Sequence, residues 1–253
     1  MKINDIEESS NLKYCPICNQ KSTVFNSFGV IKRNNAECPS CGSLERHRLL
    51  WLYIESKKYI KENIKILHVA PEKCLHDKLM ASQFGSYITC DISRKNVDIN
   101  FDLTTNPFNE NVFDLIICNH VLEHVKDDIR AMKELHRVLK PNGVAFLMVP
   151  LFADLEKTIE EPPNKQYSPG ERLKYFGQRD HVRKYGRDYK SRLVSVGFDV
   201  SEIDYASEFS VKEKIMLSII PFDLIHECRK APLSSLSKPE SVSPSPALRV
   251  SPF

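Results

Sequence analysis

Four cysteines stand in two close pairs near the start of the chain, Cys15-Pro-Ile-Cys18 and Cys38-Pro-Ser-Cys41. Soft thiolates in two C-x2-C pairs can enclose a tetrahedral Zn²⁺ and leave no coordination position open. An ion held that way supports structure and does not catalyse. The proline in each pair favours the tight turn that points both sulfurs at one ion. The competing chemistry is disulfide formation, which needs an oxidising compartment, and no signal-peptide pattern opens this sequence. A zinc ribbon over residues 13–44, ligated by Cys15, Cys18, Cys38 and Cys41, is therefore expected.

Two further sets of residues have types suited to chemistry. Polar residues close four short apolar runs: His68-Val69-Ala70-Pro71-Glu72, Cys90-Asp91, Phe101-Asp102-Leu103 and Cys118-Asn119-His120. A dense polar and aromatic cluster, Tyr175 to Gly186, carries Arg179, Asp180, His181, Arg183 and Tyr185. Its Asp180-His181 pair suits an oriented general base, and Arg179 or Arg183 suits an anionic group, with a packed lid as the structural alternative. His120 and His124 flank Glu123 at i, i+4 spacing. Two ligands on one short turn make an incomplete metal site, and a structural turn is the expected reading.

The elements that must position these residues follow from periodicity. Ser43 looks like the N-cap of a helix over Leu44–Ser56, whose stripe of Leu44, His47, Leu50, Trp51 and Ile54 would tie the ribbon to the rest. Strands are expected at Ile66–Ala70, Tyr87–Asp91, Val97–Asp102, Phe113–Asn119 and Val144–Pro150. Helices are expected near Leu75–Gln83, Asp127–Leu139 and Arg187–Val196, with late strands at Phe198–Ile203 and Leu224–Cys228. Lys140-Pro141-Asn142-Gly143 reads as a helix stop and turn. Alternation of this kind builds a mostly parallel α/β sheet with helices on both faces. Residues 1–12 read as a flexible end, 45–230 as the main domain with a substrate-side lid near 152–186, and 231–253 as a disordered Ser/Pro-rich tail.

In an open α/β sheet the ligand sits beyond the carboxyl ends of the central strands. Asp91 there suits a ribose diol and Asp102 an adenine amino group, which together point to an adenosyl ligand. Residues 64–150 resemble a class I S-adenosylmethionine-dependent methyltransferase of the type 11-like group. The carriers are Asp91, the run Asp102–Phe108, the run Phe113–Val125 and the run Glu134–Gly143. The likeness extends to about Lys230 and is nearest to a branch in which an N-terminal zinc ribbon precedes Ser43-Leu44-Glu45-Arg46-His47-Arg48. It implies a Rossmann-like sheet that binds S-adenosylmethionine through His68, Ala70, Glu72, Asp91, Ile92, Asp102, Leu103, Asn119 and His120. On the acceptor side it implies His181 as base, oriented by Asp180, with His120 as the next candidate and Arg179, Arg183 and Tyr185 holding the acceptor.

The sequence departs from that pattern at one place. Most such enzymes have a glycine-rich loop after the first strand, whereas Val69-Ala70-Pro71-Glu72 has none, and Pro71 lacks an N–H. Because Asp91, Asp102 and Asn119 are present, retained cofactor binding is expected, with Glu72 facing the cofactor's ammonium group.

At 253 residues, with 42% hydrophobic and 27% charged residues, the chain has the composition of a globular protein with a substantial core. A net charge of +3 gives no general argument for nucleic acid. No apolar run approaches the ~20 residues of a membrane span, so a cytoplasmic protein without membrane partners is expected. Cys74, Cys90, Cys118 and Cys228 read as small buried side chains. The leading expectation is a methyltransferase acting on a small molecule or saccharide, at oxygen. An RNA methyltransferase that grips RNA through Lys13, Lys21, Lys32, Arg33 and Arg46–Arg48 is the alternative, followed by a non-catalytic zinc- and adenosyl-binding protein.

Overall fold

The computed structural model describes residues 12–82, 85–219 and 224–232. The flexible ends expected at 1–12 and 231–253 therefore lie almost wholly outside the described residues.

The N-terminal module consists of two hairpins: β1 (Lys13–Tyr14) with β2 (Lys21–Ser22), and β3 (Asn26–Phe28) with β4 (Arg33–Glu37). Cys15 and Cys18 sit in the first turn, and Cys38 and Cys41 directly follow β4. The two knuckles share one backbone pattern. Asn19 N–H donates to the Cys15 carbonyl and Gly42 N–H to the Cys38 carbonyl, while Cys15 and Cys38 donate to Gln20 and Ser43. Asn19 (φ 59°) and Gly42 (φ 69°) both take the left-handed conformation that closes such a turn.

Helix α1 (Glu45–Ser56) follows. Ser43 is not its N-cap, as the sequence suggested; that position belongs to Leu44, whose N–H donates to His47 Nδ1 at 3.1 Å. Ser43 instead lies 3.2 Å from the Cys15 sulfur through its Oγ and is drawn into the module. Arg48, fully buried, holds the junction. Its guanidinium donates to the carbonyls of Ser43, Ala36, Leu217 and Ser218.

The main domain then alternates: β5 (Lys65–Val69), α2 (Lys73–Met80), β6 (Ser86–Asp91), β7 (Ile99–Asn100), β8 (Phe113–Asn119), α3 (Asp128–Val138) and β9 (Leu139–Met148). After it come β10 (Ile159–Glu160), α4 (Pro169–Phe176), β11 (Arg183–Lys184), α5 (Tyr189–Ser195), β12 (Asp199–Ile203), α6 (Val211–Leu217) and β13 (Ile225–Arg229). The seven-stranded sheet has the order β12-β13-β9-β8-β5-β6-β7. Strands β5 to β9 run parallel, and β13 and β12 join antiparallel at one edge. Side-chain alternation along the strands builds two cores. Ile66, Leu115 and Ile117 pack with α1 and α2, while Leu67, Ile116 and Cys118 pack with α3 and α5.

Two expectations change here. The Lys140–Gly143 run does not separate helix from strand. Leu139 already pairs with Phe113, and Val144 pairs with Leu115, so the intervening residues bulge out of β9. Asn142 (φ 63°) donates there to Lys230, an interaction available only because β13 lies alongside. The third strand also shrinks from Val97–Asp102 to Ile99–Asn100. Asp98 leaves it to accept from the Thr89 backbone and hydroxyl, and Asp102 becomes the cap of a 3₁₀ turn.

Cys74, Cys90, Cys118 and Cys228 are all buried free thiols. His226 on β13 is buried too, and burial holds its imidazole down at about 4. An unfolded histidine titrates near ~6.5, so between those values the unfolded state binds the extra proton. Stability is therefore expected to decline as pH falls from about 6.5 towards 4. Urea midpoints across that range check this, and His226→Gln should flatten the decline. A midpoint independent of pH in the parent would rule it out.

Candidate functional site

The sheet reverses its strand order between β5 and β8, where ligands enter open α/β folds. A cavity of about 410 Å³ opens there, lined by Ala70, Cys90, Asp91, Ile92, Asp102, Leu103, Val121 and His124 among others. Its size is that of an ordinary small-molecule site. A second cavity of about 600 Å³ lies beside α3, β10 and β11. Its charged walls are already paired, with Arg183 and Arg192 converging on Asp128 and Glu160. The smaller cavity, at the strand ends, is the cofactor candidate.

Each wall of that cleft has a local cause. Asp91 ends β6 and accepts on Oδ1 from the backbone N–H groups of Ser93 and Arg94, which fixes the carboxylate at the cavity floor. Ile92 beside it is 69% exposed, an apolar surface at the mouth of the cavity. Asp102 accepts from Thr104 on Oδ1 only, through both backbone and hydroxyl. Asn119, at the end of β8, and His120 after it do not themselves line the cavity; the buried Asn119 Oδ1 has no hydrogen-bond partner among the described residues. An apolar mouth, two anchored carboxylates and one orphaned acceptor fit an adenosyl group with an attached ammonium donor.

The loop without glycine resolves in the same place. Ala70 takes φ 47° and donates its N–H to the Cys90 carbonyl at 2.7 Å. The backbone thus adopts at alanine the left-handed turn that glycine usually supplies, at a cost of roughly 1–2 kcal/mol. His120, just past β8, is likewise left-handed at φ 53°. Two such residues at adjacent strand ends mark a site where backbone position matters more than local ease.

Several expected residues lie elsewhere. His68 is fully buried behind the cleft, with Nδ1 on the Tyr87 hydroxyl and Nε2 on Glu72 at 3.0 Å. Glu72 does not face the cavity. Its other oxygen lies 3.4 Å from His47 Nε2, so the residue bridges two imidazoles. Burial alone would raise the Glu72 carboxyl, but contacts with His47 and His68 outweigh this and hold it below the usual carboxylate range. His47, read from sequence as packing in α1, thereby links the cysteine module's helix to the β5 loop.

The acceptor-side cluster also rearranges. Arg183 is 2% exposed and donates to the carbonyls of Leu122, Val125 and Lys126. Tyr185 is fully buried and donates to Asp128 at 2.7 Å. Both residues clamp the Leu122–Lys126 turn and are not presented to an acceptor. Asp180 does not orient His181; its carbonyl accepts from His124 Nδ1 and its carboxylate lies 3.4 Å from the same nitrogen. Arg179 is exposed. His181 is 4% exposed, edge-on to His124 at 4.7 Å between ring centroids, and burial lowers its pKa. The bracketing glycines have structural duties. Gly177 (φ 84°) caps α4, and a Cβ on Gly186 would meet the Lys157 backbone at 2.7 Å.

Sequence reasoning missed Thr104, Val121, His124, Val125, Lys126 and Asp127, which also line the cleft. The only signal for them was their position just after strand ends.

The four cysteine sulfurs converge, all within 4.8 Å of one another, with Cys15–Cys41 at 3.6 Å and Cys18–Cys38 at 3.7 Å. A tetrahedron with Zn–S bonds of ~2.3 Å has edges of about 3.8 Å, so the spacing fits. The hydrogen bond with Cys41 pulls Cys15 down to about 4, whereas burial pushes Cys18 up to about 11. A bound dication would favour loss of the proton from each of the four thiols.

A family model described as a methyltransferase domain matches residues 74–203, just over half of the chain. The demethylmenaquinone methyltransferase of Staphylococcus carnosus (strain TM300) is 24% identical over 146 residues, 51% of this chain. The match spans only 61% of that relative's length. Among solved structures, a chain from the complex of the Haloferax volcanii Trm112 methyltransferase activator superposes with a TM-score of 0.51 at 13% identity. It covers 74% of this chain and 91% of its own. The (4+2)-cyclase SpnF gives 0.50 at 12% identity, covering 75% and 84%. At such identities the likeness is one of fold.

Proposed function

The chain belongs to the methyltransferase-domain family, and from that premise we propose that it transfers the methyl group of S-adenosylmethionine to a hydroxyl of a small molecule or saccharide. The observation that carries this reading is the cleft at the β5/β8 switch point, with Asp91 and Asp102 anchored at successive strand ends. In this reading Asp91 holds the ribose, Asp102 the adenine amine, and Ile92, Leu103 and Val121 the adenine faces. Asn119 Oδ1 accepts from the ammonium group, and Ala70 lets the loop backbone approach. The cofactor supplies an activated methyl on a sulfonium. What this chain must add is alignment and a place for the acceptor's proton. His120 is the better-placed proton acceptor, because its side chain is 26% exposed, with Nδ1 3.4 Å from Glu123. His181 is too enclosed for that part.

The cysteine module in this reading holds one structural Zn²⁺ on Cys15, Cys18, Cys38 and Cys41. The RNA-gripping alternative loses three of its basic residues to internal contacts, while Lys21 and Lys32 stay exposed. Lys13 donates to Ile215, Arg33 pairs bidentately with Glu45, and Arg48 is buried. Among the described residues no helix is long and apolar enough to cross a membrane.

Calorimetric titration tests the cofactor site. Asp91→Ala should weaken S-adenosylmethionine binding by about 1.5–3 kcal/mol, the loss of charged hydrogen bonds to a diol. Asp102→Ala should weaken it by less. Parent-like affinity in both variants would remove the adenosine from this cleft.

A further inference from the structure

Glu123 is buried, yet neither of its carboxylate oxygens has a hydrogen-bond partner among the described residues. Leaving a carboxylate so enclosed without donors is costly unless a cation compensates it. On its own turn, His120 Nδ1 makes a 3.4 Å ion-pair contact without hydrogen-bond geometry, like that between His47 and Glu72. Two imidazoles do converge on it. Single ligand atoms of Glu123, His124 and His181 all fall within 4.8 Å of one another.

The cluster is built, not incidental. Val182 N–H donates to the Glu123 carbonyl at 2.9 Å, which fixes His181 beside the turn. Arg183 and Tyr185 bind carbonyls of that turn from the same segment. His124 Nδ1 must donate to the Asp180 carbonyl, since a carbonyl only accepts. That hydrogen bond sets the tautomer and leaves Nε2 with its lone pair, the arrangement of a metal-binding histidine oriented by an outer partner. His124 also lines the cofactor cleft, so the cluster borders the space an acceptor would occupy.

We propose that Glu123, His124 and His181 bind one divalent first-row transition cation at the edge of the cofactor cleft. Two imidazoles and a carboxylate suit Mn²⁺, Fe²⁺, Co²⁺ or Zn²⁺, and three protein ligands leave positions open, unlike the closed four-cysteine set. Resting on the methyltransferase reading, those open positions orient an acceptor oxygen towards the methyl group. His181 is then a ligand, which accounts for its enclosure.

The test is titration with Mn²⁺ of the full chain carrying one equivalent of zinc, which the four thiolates take up ahead of the second site, followed by the electron paramagnetic resonance signal of free Mn²⁺. Mn²⁺ is too hard to displace zinc from four thiolates, so it reports the second site alone. One Mn²⁺ per chain is expected. Glu123→Gln and His181→Ala should each weaken binding by roughly tenfold or more, with zinc content unchanged. S-adenosylmethionine binding, measured on the same samples, shows that each variant is folded. Should Glu123→Gln fail to fold, the His181→Ala titration decides. No Mn²⁺ uptake by the parent, or parent-like uptake by a folded variant, overturns the proposal. Cofactor binding without Mn²⁺ uptake ends the cation site alone, whereas Mn²⁺ uptake without cofactor binding ends the methyltransferase reading.

Discussion

Replacing Cys38 with serine is expected to empty the four-cysteine module and lower the melting temperature by about 10 °C or more. Structural zinc sites contribute apparent binding free energies of ~10–16 kcal/mol, and that binding is folding free energy. Serine leaves three ligands and a weak fourth. A loss of even ~4 kcal/mol corresponds to roughly 8–16 °C for a protein of this size. The module cannot unravel privately. Cys38 is 2% exposed, and the same knuckle positions Ser43, whose carbonyl receives Arg48. Elemental analysis should find about one zinc per parent chain and far less in the variant. Parent protein that is free of zinc and keeps its melting temperature under chelation would refute the assignment.

The second large effect is expected at Arg48. Its guanidinium is fully buried and serves four carbonyls from three stretches of chain, with its carbon plane 4.9 Å from the Phe25 ring. Arg48→Ala would strand those acceptors without water. At about 1–3 kcal/mol for each orphaned buried group, a loss of roughly 4 kcal/mol or more follows. Arg48→Lys should recover only part of it, because an ammonium cannot span the fork that reaches Ala36 and Leu217 together. Chemical denaturation of the three proteins decides the matter. A parent-like midpoint for Arg48→Ala would mean that the module and the C-terminal helix are held together by something else.

Much of the fold was legible because it is encoded locally. The strand Phe113–Asn119 has the bounds its apolar run suggested, and α3 differs from expectation by one residue at each end. The misplaced boundaries had competing partners elsewhere in the fold. Ser43 has every property of a helix cap, but a cysteine sulfur and a buried guanidinium claim its Oγ. Lys140–Gly143 has every property of a turn, but β8 and the Lys230 backbone hold its flanks as one bulged strand.

By itself the sequence determined the ligand types and spacing of the cysteine knuckles, the alternation that makes a parallel sheet, and the acids that close its strands. These depend on separations of a few residues, where backbone geometry leaves little choice. Only the tertiary structure decided what the isolated polar residues do. Asp180 appears beside His181 in the chain but bonds His124, 56 residues away in sequence. Arg48 reads as a surface base beside the ribbon but reaches Leu217, 169 residues on. Glu72 follows the cofactor loop but turns to His47 and His68. A buried or half-buried charge such as Arg48 or Glu72 takes whichever partners the packed elements bring close, because leaving it unpaired costs more than any local preference. Adjacency in sequence does not fix those partners.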